Sequence, residues 1–342
     1  MNHSTGDRAS NARLGRLLQR LGGPGNSQVT ALAAIDLAFA AFLALSTPIF
    51  LTSGNLLAVG VAMSGSALAA MGSTLVLLTG GFDLSIGSNY GLAGVVATLM
   101  MRSGTPVPLA LLLGLLTGSL FGLINGLLVA KVQINPFIAT MGTMTIGRGI
   151  INILTRGYSI SGLPNSFMQL VHARVLGLPP SFVAMVVVVV ATDLLLRFWR
   201  PARQIYYVGG SPTYARLVGI RVDRVRIIAY VLSGTLAALG GLLFAMRTGA
   251  GSQQAGIGLE LTALVAPFLG GVGFGGVGTA LGAFLGAFLM ALVFNAVQLL
   301  GVAVLWQDII VGVFLIVAAL VGMMRVQRII SGRERAVRKE GG

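Results

Sequence analysis

Apolar residues run in long blocks along this chain, and the polar positions collect between them. About 20 apolar residues carry a helix across a bilayer. That length predicts spans over 29–50, 55–79, 84–101, 107–130, 136–154, 181–198, 226–246, 259–270, 277–298 and 302–324. Segment 259–270 is too short to cross alone, so it is expected as a half-helix or as joined to the 277–298 span through a glycine-rich break. Ten segments are predicted; reading 259–298 as one re-entrant unit and merging one early span lowers the count to eight.

The sharpest feature lies between the second and third spans. An apolar helix enters Thr79-Gly80-Gly81-Phe82-Asp83-Leu84-Ser85-Ile86-Gly87-Ser88-Asn89-Tyr90-Gly91, then turns apolar again. Hydrocarbon cannot satisfy a broken backbone, so such a break sits in protein or along a polar route. A carboxylate there is a functional-site candidate. Asp83 and Ser85 also stand where helix caps belong. Both roles stay open and are compatible.

Composition supports a membrane protein. The 342 residues are 55% hydrophobic and 9% charged, against about 25% charged in soluble domains. The chain has no cysteine, and His3 and His172 are its only histidines. A disulfide framework and a paired-histidine zinc motif are therefore excluded, and no G-x-x-x-x-G-K-[ST] loop occurs. No catalytic residue or metal site is assigned.

The net charge of +14 does not point to nucleic acid, because of where it lies. Of 23 basic residues, four fall in 1–28, seven in 197–226 and six in 325–342, each stretch flanking apolar spans. This is the positive-inside pattern. It gives a cytoplasmic basic tail at 1–28, a transmembrane domain at 29–324 with a cytoplasmic loop at about 199–226, and a second basic tail at 325–342. Ten spans bring both tails, Lys131 and that loop to one side, and leave 155–180 on the other. No cleaved signal peptide is expected.

Several residues inside or beside spans invite chemistry. Asn125, Asn295 and Gln298 suit a neutral hydroxylated solute and suit interhelical hydrogen bonding equally well. Glu260 opens a helical segment, where an acid complements the helix dipole, or it pairs with Arg247 as a gate. Asp36, Asp193 and Asp308 read as interfacial. Glycines at 114, 118, 122 and 126, and at 278, 282 and 286, predict two ridges for close helix packing, a hint of related halves. Gly271-Val272-Gly273-Phe274-Gly275-Gly276 fits G-x-G-x-x-G, but its apolar flanks make it a helix break rather than a dinucleotide site.

Within 199–226, Ser211 is placed to cap, Pro212 to take the first helical position, and Gly219 to end a helix of about two turns. A short capped helix projecting between two spans is a docking element or a surface ornament. The lack of any energy-coupling motif in the membrane part favours docking.

Four ordered blocks carry a resemblance that covers about 50–320. They are Leu78 to Ser88; Gly122-Leu123-Ile124-Asn125-Gly126 with Asn135-Pro136-Phe137 to Thr143 and Arg148-Gly149; Ala215-Arg216-Leu217-Val218-Gly219-Ile220; and Gly258-Leu259-Glu260-Leu261 with Leu269-Gly270-Gly271. The chain resembles permease subunits of bacterial ATP-binding-cassette (ABC) importers, in the ribose/xylose/galactose-type sugar branch related to the branched-chain amino-acid permeases. It departs from them at Thr262 to Phe268, where an alanine run is common, and at Tyr214 and Arg216.

The resemblance implies an all-α polytopic permease fold of about ten transmembrane helices, some broken, in the bacterial cytoplasmic membrane. It implies a coupling helix at Ser211, Pro212, Tyr214, Ala215, Arg216, Leu217 and Gly219. It also implies a path for a monosaccharide or polyol, for which Asp83, Ser85, Asn125, Glu260, Asn295 and Gln298 are the candidates. Expected partners are cytoplasmic ABC ATPase subunits that hold ATP and magnesium, a second permease subunit and a periplasmic sugar-binding protein. This chain itself would bind no cofactor and catalyse nothing. The competing readings are a secondary transporter driven by an ion gradient, with Asp83 as its ion site, and a branched-chain amino-acid permease.

Overall fold

A computed structural model of the chain describes residues 24–320. The expected basic tails lie outside the described residues, except that 24–28 open the first helix. Among the described residues a helix forms within each of the ten predicted segments, and three more lie between them. In chain order they are α1 (Pro24–Ser46), α2 (Ser53–Leu78), α3 (Ile86–Arg102), α4 (Val107–Ala130), α5 (Pro136–Thr155), α6 (Asn165–His172), α7 (Pro180–Phe198), α8 (Arg200–Gly210), α9 (Pro212–Leu217), α10 (Val222–Thr248), α11 (Leu259–Leu269), α12 (Ala280–Leu299) and α13 (Trp306–Leu320). Seven are long and apolar enough to cross a membrane, while α11 and α13 are shorter apolar helices.

Sequence fixes most boundaries locally. Thr52 and Thr279 cap α2 and α12 by accepting from backbone N–H groups. Asn135 does the same for α5, with Pro136 at its first position. The helix α1 stops at Ser46 rather than 50, because Pro48 disfavours helical geometry at Thr47. Conversely, α10 begins at Val222 rather than 226, since Asp223, Arg224 and Arg226 lie in its first turns.

The centre of the bundle is α2, in which every residue from Ala67 to Leu78 is buried. It packs on α10, α11, α12 and α7. Small residues permit this: a methyl on Gly72 would come within 3.0 Å of the Ser233 backbone in α10. The first glycine ridge forms as predicted. Methyls on Gly114, Gly118, Gly122 and Gly126 would run in turn into Leu242, Ala238, Tyr230 and Ile227, so α4 lies antiparallel along α10 with almost no gap. In the second ridge, Gly282 and Gly286 face the backbone of α11, but Gly278 lies in the loop before α12 at φ +125°. Loop 270–279, which holds the G-x-G-x-x-G match, is a turn between α11 and α12, closed by bonds such as Gly273 N to the Val277 oxygen at 2.9 Å.

Two breaks meet inside the bundle. After α2 the chain turns back into protein through Gly80, at φ +81°, before α3 begins. Segment 249–258 descends from the opposite face to the start of α11. The eleven residues of α11 span about 16 Å, roughly half of a hydrocarbon core of about 30 Å. It is the half-helix the sequence suggested. At the end of the bundle away from the basic face, Ile160 and Gly251 exchange two backbone hydrogen bonds of 2.8 and 2.9 Å, and Phe167 of α6 is fully buried. The 155–180 segment thus lies against the descending one.

Candidate functional site

The break at 79–85 builds a buried polar chain. Asp83 Oδ1 accepts from the Ser85 amide at 3.0 Å and from its hydroxyl at 2.6 Å. Asp83 Oδ2 accepts from Ser233 Oγ of α10 at 2.8 Å. Ser85 Oγ in turn accepts from Asn125 Nδ2 of α4 at 2.7 Å, and Asn125 Oδ1 accepts from Thr143 Oγ1 of α5 at 2.7 Å. One carboxylate therefore ties α3, α4, α5 and α10 together. Next to it, Tyr230 donates to the Phe82 carbonyl at 2.7 Å, and Asn89 donates to the carbonyls of Gly118 and Gly234.

Asp83 is 2% exposed, Ser85 1% and Asn125 0%, so all three are buried in this arrangement of the helices. Both carboxylate oxygens of Asp83 are partnered. Such a network fixes one arrangement of helices. Of the two cap residues proposed, Asp83 takes the amide of Ser85, whereas Ser85 makes no side-chain cap bond. Thr143 and Ser233 escaped the sequence reading, because a hydroxyl within a span carries no local mark of its partner.

Asn295 is in a different place. A cavity of about 180 Å³ lies between α2, α11 and α12 and is closed on one side by Arg247 at the end of α10. Asn295 and Asn55 face each other in its wall and donate reciprocally at 2.8 and 3.2 Å. Ser66, Thr262 and Gln298 add neutral hydrogen-bonding groups, and Met63, Met290 and Phe294 add apolar surface. Asn125 and Asn295, read as equivalents in the sequence, therefore sit in different surroundings: the first in a buried hydrogen-bond network and the second in a cavity wall. Asn55 and Arg247 complete a site that the sequence had only half marked.

Glu260 does not pair with Arg247. Its Oε1 accepts from the Gly258 amide at 3.3 Å, in the first turn of α11, as an acid at a helix start does. Its Oε2 is buried without a hydrogen bond beside Gly87. Arg148 of α5 reaches the same segment and donates to the Ala255 carbonyl at 2.7 Å. The interfacial reading also fails for Asp36: it sits midway along α1, 3% exposed, with neither carboxylate oxygen hydrogen-bonded. Asp193 lies near a span end as expected, bonded to Arg197 at 2.6 Å and accepting from Leu281 N at 3.3 Å. Asp308 is exposed in the first turn of α13.

The basic face carries two consecutive helices, α8 and α9, where one was predicted. Ser211 caps α9 by accepting from the Tyr214 amide at 3.2 Å, with Pro212 at the first position. Gly219, at φ +81°, ends it by donating to Arg216 at 3.0 Å, and Ile220 donates to Ala215 at 2.9 Å. Ala215 is fully buried, whereas Tyr214 and Leu217 are 61% and 80% exposed. Gly209 of α8 lies against the Leu78 carbonyl that ends α2 and within 2.7 Å, from a would-be Cβ, of the Gly276 amide. Phe82 and Phe274 bridge the break after α2 and the loop 270–279 with ring centroids 4.8 Å apart. The backbone of α8 thus lies against both.

A bundle of broken membrane helices, with a cavity between its spans and a capped segment on its basic face, defines a polytopic transport permease. The chain belongs to the family described as the branched-chain amino acid transport system permease component, whose pattern matches residues 55–319. It is similar to proteins described as autoinducer 2 import system permease protein LsrC. That of Enterobacter sp. (strain 638) is 34% identical over 314 residues, covering 92% of this chain and 91% of the relative. That of Salmonella typhi is 37% identical over 292 residues, 85% and 84% of the two chains. That of Escherichia coli (strain K12 / DH10B) is 37% identical over 250 residues, 73% of each. No solved structure matches the chain.

Proposed function

We propose that this chain is the membrane-spanning subunit of an ATP-driven importer, and that its cargo is a small neutral hydroxylated solute of the monosaccharide class, such as the autoinducer named in its relatives. ATP and magnesium belong to cytoplasmic ATPase subunits that dock on α8 and α9. A second permease subunit and a periplasmic binding protein complete the assembly. The positive-inside pattern of the sequence supports placing the basic face and both basic tails on the cytoplasmic side of a bacterial inner membrane.

The observation that carries this reading is the seat of Gly209. A docking segment whose backbone touches the Leu78 carbonyl and the Gly276 amide can shift the end of α2 and the loop 270–279 when a partner moves it, which is how a difference in partner affinity between two states does work. The cavity supports the cargo class. Its hydrogen-bonding groups are amides and hydroxyls, and among the described residues its one charge is Arg247. A zwitterionic amino acid would want an acid opposite that charge. An ion-coupled transporter would want Asp83 open, and its oxygens are taken.

The test is a mild-detergent pull-down of the tagged chain from its native membrane. Recovery of a stoichiometric ATPase, followed by ATP hydrolysis stimulated by binding protein and sugar, is the expected result. A chain that purifies alone and transports in liposomes under an ion gradient would overturn the reading.

A further inference from the structure

The basic face holds more positive charge than its ion pairs use. Among the described residues, Lys131 pairs with Asp223 at 3.0 Å and Arg197 with Asp193 at 2.6 Å. Arg221 and Arg224, both exposed, have no carboxylate partner there. They stand at one end of a cavity of about 490 Å³ between α7, α8 and α10. Its walls are apolar, with Leu196 on α7 and Leu232 and Leu236 on α10. Trp199, at the turn from α7 to α8, is 55% exposed on its rim. An indole at that level is a mark of the membrane–water boundary.

The dimensions match one leaflet. From Arg221 to Leu236 the groove follows α10 for about 22 Å at 1.5 Å per residue. Half of a bilayer with its headgroups is about 20–22 Å. The guanidinium pair therefore lies at headgroup level when Leu236 lies near the midplane. A cationic mouth above an apolar floor is complementary to an anionic amphiphile, and basic pockets between spans bind such headgroups.

We propose that this groove binds one anionic phospholipid, its phosphate held by Arg221 and Arg224 and one acyl chain laid along Leu232 and Leu236. The lipid would be a structural link. Gly219 and Ile220, just beyond α9, form part of the same wall, so the bound molecule joins the docking segment to α7 and α10. Lipid binding is independent of the cargo and of the energy source, while its link to docking rests on the proposed function.

Native mass spectrometry tests it on the full chain in nanodiscs of phosphatidylcholine doped with phosphatidylglycerol. The expected result is selective retention of one phosphatidylglycerol per chain. Replacing both cations, in Arg221→Gln with Arg224→Gln, should lower that retention roughly tenfold or more. Leu232→Trp should lower it as well by filling the floor with both arginines intact. Should that variant not fold, Ile228→Trp, at a wall position 49% exposed, asks the same question. Equal retention in wild type and both kinds of variant would overturn the proposal. So would displacement by inorganic phosphate at equal concentration, which would mark a free-anion site. An acidic protein copurifying on the arginines with no lipid retained would overturn it too.

Discussion

Gly87 and Gly256 pack backbone to backbone: a methyl on either would strike a carbonyl oxygen of the other. Here the start of α3 meets the segment that leads into α11. Two helix N-termini, each with partial positive charge, are brought together inside the bundle. Each has its own acid, Asp83 before α3 and Glu260 in the first turn of α11. A carboxylate at a helix start offsets that charge, so two like poles can share one junction.

Gly87→Ala should therefore be costly. The added carbon meets a backbone oxygen, which cannot rotate away, and overpacking of this kind costs about 1–3 kcal/mol or more. Thermal unfolding in detergent should show a clear fall. Gly142→Ala and Gly149→Ala meet nothing within 4 Å and should stay within about 0.5 kcal/mol of wild type or gain slightly from helix propensity. Similar melts for all three would mean that the junction is loose.

Ser233→Ala removes the hydroxyl that donates to Asp83 Oδ2 and leaves a buried carboxylate oxygen bare. The expected loss is about 1–3 kcal/mol, again read by unfolding. An unchanged melt would show that water or a rearranged hydroxyl takes the place of Ser233.

The two asparagines should separate cleanly. Asn125→Leu takes one partner each from Ser85 and Thr143, which keep their bonds to Asp83 and the Thr140 carbonyl, and should lower stability, with a coupling of about 0.5–3 kcal/mol to Thr143→Val in a double-mutant cycle. Asn295→Leu alters the cavity wall and should lower solute flux with ATPase assembly intact. The reverse pattern, with flux lost at Asn125 and folding lost at Asn295, would exchange the roles assigned to them.

At the docking segment, Gly219→Pro is incompatible with φ +81° and removes the hydrogen bond to Arg216. Ala215→Glu places a carboxylate at a fully buried position. Both should sever hydrolysis from transport while leaving the spans folded and the binding protein able to dock. Loss of the membrane protein itself in both variants would show that α9 is part of the core instead.

How much the sequence disclosed depends on the range of the forces involved. Spans were legible because apolar runs, prolines and glycines act within one turn of themselves. The ridge at 114, 118, 122 and 126 was legible because its spacing is a property of one helix. The segment α8 was missed, since its polar residues and Pro201 resemble a loop until α2 packs on Gly209. The partners of Asp83 and Asn295 were not legible: Ser233 is 150 residues away and Asn55 is 240, and nothing local marks either. Of the two readings of Glu260, the helix-start acid holds and the contact with Arg247 fails, because opposite charge near in sequence says little once the backbone turns.

The half-length of α11 makes its neighbours part of the seal. A helix of about 16 Å leaves roughly half of the hydrocarbon thickness to be filled by other protein. Part of that filling is the contact of Gly87 with Gly256, where backbone meets backbone and no side chain stands between. Such a contact has no rotamer to adjust, so it is either closed or parted.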